Sequence, residues 1–235
     1  MNLLLFTAAD RLDDQHIRVT GRRLRHLQQV LGSTIGDELR VGELDGLTGL
    51  GRILDISDQQ ATLSVELNEA PPSKLPLCLV MALPRPKMLR RIIRSVAELG
   101  VSELHLIHSY RVEKSYWQTP ALQDDALHDY LLQGLEQARD TVLPQVSCHR
   151  RFKPFVEDSL PAMTRARHAL LAHPGDYPPC PRAQQRDTLL VIGPEGGFIP
   201  YEVAKLESAG CQPVSLGPRI LRVETALTAL LGRLF

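Results

Sequence analysis

Cysteine is scarce and scattered. Cys78, Cys148, Cys180 and Cys211 lie about thirty or more positions apart, with no C-x-x-C and no histidine pair at zinc-ligand spacing. That argues against a disulfide framework or a zinc ribbon, so reduced, structural thiols are expected. His105 and His108 stand three apart in a strand-like run, which puts them on opposite faces, and no metal site is assigned. Aromatic residues make up only 5% of the chain, so a single-stranded nucleic acid would find few rings to stack on. Tyr110, Tyr116 and Trp117 are the nearest to the basic region. No apolar run approaches the roughly 18 residues of a membrane span. The start, Met1 to Phe6, lacks the basic lead-in and long apolar core of a signal peptide, and a cytoplasmic location is expected. Net charge is also missing, at +0, which removes any overall pull on a polyanion.

Charge is present locally. Residues 71–114 carry 8 Lys and Arg against 3 Asp and Glu, and a local patch steers a polyanion more than the total does. On the helix expected near 87–99, a rotation of about 100° per residue places Lys87, Arg90, Arg91 and Arg94 on one face. Leu89, Ile92, Ile93, Val96 and Leu99 fall on the other. No acid occurs on this helix before Glu98, so the basic face suits phosphate contact better than ordinary solvation. Arg22, Arg23, Arg25 and His26 make a second basic cluster.

The organisation changes once along the chain. Short β segments punctuated by glycine come first, at Leu3–Phe6, His16–Val19, Asp37–Val41, Gly51–Ile56 and Ala61–Leu67. One helix, Arg22–Leu31, stops at Gly32. A small β-barrel with one helix is expected. Asn68 to Pro76 then breaks all periodicity, which predicts domains of residues 1–72 and 73–235. Beyond it, apolar runs at Leu77–Leu83, Leu104–His108, Ala169–Ala172, Leu189–Ile192 and Pro213–Leu216 alternate with helical stretches. That alternation predicts an α/β fold with a mostly parallel sheet whose ligands sit at the carboxyl ends of its strands.

Two strand ends share one device, Val191-Ile192-Gly193-Pro194 and Ser215-Leu216-Gly217-Pro218. Glycine leaves each strand without a Cβ, and proline stiffens the bend while removing a donor. Two such bends suggest two loops facing one ligand. There is no G-x-G-x-x-G, no phosphate-wrapping G-x-x-x-x-G-K-[ST] and no G-x-S-x-G elbow. A proline-stiffened loop without lysine is better matched to a neutral adenine or ribose than to a pyrophosphate.

"LLVIGPEGGF" and "PVSLGPRILRVETA" resemble the last two motifs of the SPOUT-class 16S rRNA (uracil-N3)-methyltransferase family. Upstream, "ELGVSELHLIHSYR" is similar to its ELGV segment and following Ser-x-Arg, "LEQAR" to its E-Q segment, and "RHLQQVL" with "GDELRV" to its PUA-like N-terminal barrel. The resemblance covers nearly the whole chain. It implies a C-terminal domain threaded into a deep trefoil knot, a homodimer, S-adenosylmethionine as cofactor, 16S rRNA as partner and transfer to N3 of a uridine (U1498). Carried over residue by residue, the cofactor loops are Leu171, Ala172 and His173; Ile192, Gly193, Pro194, Glu195, Gly196 and Gly197; and Leu216 to Arg222, with Gly217, Ile220, Leu221 and Arg222 in contact. Thr225 opens the last helix. The catalytic candidates are Arg222, for charge developing on the uracil oxygens, and Glu224, as base or orienter. Arg85 and Arg111 join Arg22, Arg23, Arg25 and the basic helix as RNA contacts.

The family's K-G-D-like loop is here Arg85-Pro86-Lys87, its S-G-R is Ala138-Arg139-Asp140, and its R-T-E-T-A is Arg222-Val223-Glu224-Thr225-Ala226. An ion pair between Arg222 and Glu224 that merely fixes the loop is the bland alternative for both residues. A non-catalytic RNA-binding protein of the same fold is the second reading of the whole chain. A nucleotide-dependent oxidoreductase is the third, disfavoured by the missing fingerprint.

Overall fold

The computed structural model describes residues 2–235. They divide into two compact units. One ends at Ser73 and also takes in Leu131–Leu143; the other comprises Lys74–Tyr130 and Pro144–Phe235.

In the first unit, β1 (Leu4–Phe6), β2 (His16–Val19), β3 (Glu38–Glu43), β4 (Thr48–Ile56) and β5 (Ala61–Glu69) form a curled mixed sheet in the order β1-β3-β4-β5-β2. Only β1 and β3 run parallel. The order has two ends, β1 and β2, where the sequence led us to expect a barrel. Along β2, Ile17 and Val19 turn inward and Arg18 outward, the period of a half-buried strand. The helix α1 (Gly21–His26) continues through a π turn, Leu27–Leu31, and stops at Gly32 in the left-handed conformation, φ 61°. Leu24 and Leu27 pack with Ile17, Val41, Ile53 and Leu63 in the core of this unit. Each such side chain contributes about 1.5–3 kcal/mol through burial.

Leu131–Leu143 belongs here for a polar reason that the expected boundary does not foresee. Glu136, 3% exposed, receives both guanidinium nitrogens of Arg22 at 2.9 and 2.8 Å. The Thr141 hydroxyl donates to the Gly46 carbonyl at 2.6 Å. A lone buried carboxylate costs far more than one paired bidentately, so Arg22 and Glu136 need one another.

The second unit is built on a six-stranded sheet in the order β11-β9-β10-β6-β7-β8, every pair parallel. Its strands are β6 (Leu75–Ala82), β7 (Val101–Ile107), β8 (Gln145–His149), β9 (His168–Ala172), β10 (Thr188–Ile192) and β11 (Gln212–Val214). Central β10 is buried at all five positions, as a parallel strand covered on both faces must be. The helices are α2 (Pro86–Glu98), α3 (Asp124–Ala138), α4 (Phe152–Pro154), α5 (Leu160–Ala166), α6 (Pro200–Ser208) and α7 (Val223–Leu234). Residues of α3 to Tyr130 count with this unit and those from Leu131 with the first. Leu89, Ile92, Ile93 and Val96 of α2 are buried, and Lys87, Arg90 and Arg91 are exposed, so the expected two faces are present. No helix among the described residues is long and apolar enough to cross a membrane.

Candidate functional site

Strands β9, β10 and β11 are neighbours and parallel, so their carboxyl ends lie side by side. A cleft of about 330 Å³ opens there, within the second unit. Its walls are the three segments that leave these strands, Ala172 to Pro174, Ile192 to Phe198 and Val214 to Leu221, closed by Val223, Ala226 and Leu230 of α7. The His173 N–H donates to the Val214 carbonyl at 3.0 Å, tying the first segment to the third. In the second, the Pro194 carbonyl accepts from the Gly197 N–H at 2.7 Å and closes a tight turn. Gly217 adopts φ 108°, which only glycine takes without strain, and nothing lies within 4 Å of where a Cβ would stand. There the glycine serves the backbone path; at Gly196 it serves space, since a Cβ would come within 2.9 Å of the Arg111 Cδ.

Charge gathers at the glycine end of the cleft. Arg111 reaches in from the loop after β7 and donates to the Gly196 carbonyl. Burial lowers the pKa of His173, and the nearby Arg111 charge lowers it further. Glu195 accepts the Arg85 backbone N–H at 3.0 Å, so the start of α2 lies beside this rim. The loop that carries Arg111 is held by buried Glu202, which accepts from the Tyr110 N–H and also caps α6 through the Ile199 N–H.

The candidate cofactor residues divide. Ala172, His173, Ile192 to Gly197, Leu216, Gly217, Ile220 and Leu221 line the cleft. Leu171 is buried within β9, and Arg222, Glu224 and Thr225 stand at the start of α7 without lining it. Arg222 and Glu224 do not pair, and among the described residues neither side chain has a hydrogen-bond or ion-pair partner. The wall from α7 was not anticipated, because its apolar stripe reads from sequence as core alone. Phe198 and Val214 were missed for the same reason.

The candidate RNA residues also divide. Arg85, Lys87, Arg90 and Arg91 are exposed, while Arg94 is half-buried with its guanidinium 5.9 Å from the Tyr130 ring centre. Arg111 belongs to the cleft. Arg22 is paired with Glu136; Arg23 donates to Asp10 at 2.6 and 2.8 Å and to the Leu5 carbonyl. Arg25 stays exposed. Among the aromatics, Tyr110 is 76% exposed, whereas Trp117 is buried with its indole N–H on His108 at 3.0 Å, which withdraws it from stacking.

Elsewhere in this unit, Cys78, Glu103 and His105 lie close enough to share an ion. Arg167 already occupies Glu103 at 2.8 Å, His149 bonds His105 at 3.0 Å, and burial with the nearby Glu103 charge pushes the Cys78 thiol up to about 12. The group is internally satisfied. All four cysteines are free; Cys78, Cys180 and Cys211 are buried and Cys148 is exposed.

Residues 71–234 match the family model described as an RNA methyltransferase domain. The chain is 31% identical over 212 residues to ribosomal RNA small subunit methyltransferase E of Treponema pallidum, covering 88% of this chain and 80% of that protein. It is 29% identical over 239 residues to the Synechocystis protein of the same name, covering 98% and 76%. A solved ribosomal RNA small subunit methyltransferase E from Neisseria gonorrhoeae, bound to S-adenosyl methionine, superposes with a TM-score of 0.75 at 19% identity, covering 97% and 95%. At that identity the likeness is one of fold.

Proposed function

Since this chain belongs to the ribosomal RNA small subunit methyltransferase E family and carries its RNA methyltransferase domain over residues 71–234, we propose that it moves a methyl group from S-adenosylmethionine to N3 of a uridine in 16S rRNA. The observation that carries this reading is the convergence of three parallel strand ends, two of them Gly-Pro bends, on one cleft. The residues suit the cofactor. A volume of about 330 Å³ lies in the range of small-molecule sites, Leu216, Ile220, Val223 and Ala226 offer an apolar wall for adenine, and bare backbone lies opposite.

When bound, S-adenosylmethionine supplies a methyl group activated by its sulfonium sulfur. The chain's own task is to hold a uracil in line and favour its anion. Arg222, exposed and unpaired at the head of α7, is the group to stabilise negative charge on the uracil oxygens. Glu224, two residues on, is the base or orienter for the N3 proton. The exposed face of α2 approaches the cleft through Arg85 and Glu195, so phosphates on Lys87, Arg90 and Arg91 would lead an RNA strand to the rim. Arg25 offers a contact on the first unit, whose residues 1–72 we read as a PUA-like domain. Residues 73–235 we read as the SPOUT domain.

A trefoil knot draws support from the loop after β9. Ser215 exchanges backbone bonds with Pro178 and Cys180, and the Ala183 and Gln184 N–H groups reach the carbonyls of Arg233 and Leu234, so this loop lies against both the segment leaving β11 and the C-terminal end of α7. A homodimer draws support from Ile220, 75% exposed, and Leu221, 36% exposed, at the cleft mouth, apolar side chains that a second copy would cover. The substrate implies a cytoplasmic site of action. Methyl-labelled S-adenosylmethionine, incubated with 16S rRNA and with small ribosomal subunits, should yield N3-methyluridine on digestion and mass analysis; transfer to neither substrate overturns the reading.

A further inference from the structure

Resting on that reading, we infer that Arg111 binds the carboxylate of the methyl donor's amino-acid end, with Glu195 facing its ammonium group, and is not primarily an RNA contact. The two ends of the cleft differ in chemistry. Val214, Leu216, Ile220, Val223, Ala226 and Leu230 line one side of the cleft with apolar side chains, and Arg219 of the second bend brings a guanidinium among them. The other side holds Arg111 and Glu195 on or against the first glycine bend. A cation repels a sulfonium and an ammonium alike, so within this ligand the Arg111 guanidinium can attract only the carboxylate. Two guanidiniums and one carboxylate line the cleft; Arg111 is the one bonded to the bend that carries Glu195, and that pair complements a zwitterion.

The placement of Arg111 is built. One of its guanidinium nitrogens donates to the Gly196 carbonyl, and the stem lies where a Gly196 Cβ would need to be. Its backbone neighbour Tyr110 is held by Glu202, so the loop is anchored from a buried group. Among the described residues Arg111 has no acidic partner, which leaves most of its five donors for a ligand. Burial and the Arg111 charge both lower the pKa of neighbouring His173.

The experiment is calorimetric and needs no turnover. Wild-type protein and the Arg111→Gln variant are titrated with S-adenosylmethionine and with 5′-methylthioadenosine, which lacks the amino-acid end. Arg111→Gln should weaken S-adenosylmethionine by about 10- to 100-fold, the scale of a charge-assisted bond, and 5′-methylthioadenosine by less than about 2-fold. Glu195→Gln should show the same selectivity. Retained 5′-methylthioadenosine binding also reports an intact pocket. Equal weakening of both ligands would make Arg111 a scaffold for the glycine bend, and no weakening of either would return it to the RNA; each overturns the inference while the methyltransferase reading stands. A wild-type protein that binds neither ligand overturns both.

Discussion

Glu202 accepts the Tyr110 backbone N–H at 2.7 Å, joining the loop after β7 to the first turn of α6. Its second oxygen accepts from the Ile199 N–H at 3.1 Å. The carboxylate is 2% exposed, so water does not replace either bond when it is removed. Glu202→Ala should destabilise the second unit by about 2–3 kcal/mol in urea unfolding. It should also weaken S-adenosylmethionine, because the anchor of the Arg111 loop goes with it. A variant of unchanged stability would show that these bonds add nothing beyond solvation.

Arg222→Ala should abolish methyl transfer while leaving S-adenosylmethionine affinity within a few-fold, since the side chain stands outside the cleft wall. Single-turnover assays alongside calorimetry separate the two effects. Turnover at the wild-type rate would remove Arg222 from the chemistry.

Neutralising Lys87, Arg90 and Arg91 to glutamine should weaken RNA binding and flatten its dependence on salt. For a single strand, losing three phosphate contacts lowers the slope of log affinity against log salt by about 2. Arg94 is left in place because its guanidinium packs on Tyr130. An unaltered slope would mean that the exposed face of α2 does not meet phosphate.

Acid should loosen the first unit through two ion pairs. Hydrogen bonds from Arg11 hold the Glu43 carboxyl below its ordinary range. For Asp10, burial pushes upward, but Arg23 and the Thr7 N–H outweigh it and leave the group lowered. A lowered native pKa contributes stability that is present above the unfolded-chain value, about 4, and is lost as pH falls through the native value. Glu43→Gln should therefore cost about 1 kcal/mol at neutral pH and much less near pH 2. Equal losses at both pH values would rule out this linkage.

Much of the second unit was legible because parallel strands announce themselves as apolar runs, as Leu189–Ile192 does. β8 was not, since Gln145, Ser147 and Cys148 are exposed on an edge strand with no apolar alternation to read. The Gly-Pro bends located the cleft, for glycine and proline constrain the backbone wherever they fall. The rest of its wall came from residues with two duties. Val223, Ala226 and Leu230 serve core and cleft together, and sequence pattern records only the first. Arg22 and Arg23 misled in the opposite way: a cluster of arginines looks like a surface for phosphate until the structure supplies Glu136 and Asp10, the former more than a hundred positions away.

The middle of the parallel sheet joins β6 to β10, with Leu79 beside Leu190. Those residues are far apart along the polypeptide, so that seam brings together chain ends separated by most of the second unit. Strands β6 with β7 and β8 can assemble early, and β9 with β10 can do so separately, because each set spans shorter stretches. The seam between them spans the longest stretch of chain of any pairing in the sheet, so it carries the largest loop-closure cost. A chain in which that seam is open would expose the apolar, unpaired edges of β6 and β10, the kind of edge that invites aggregation.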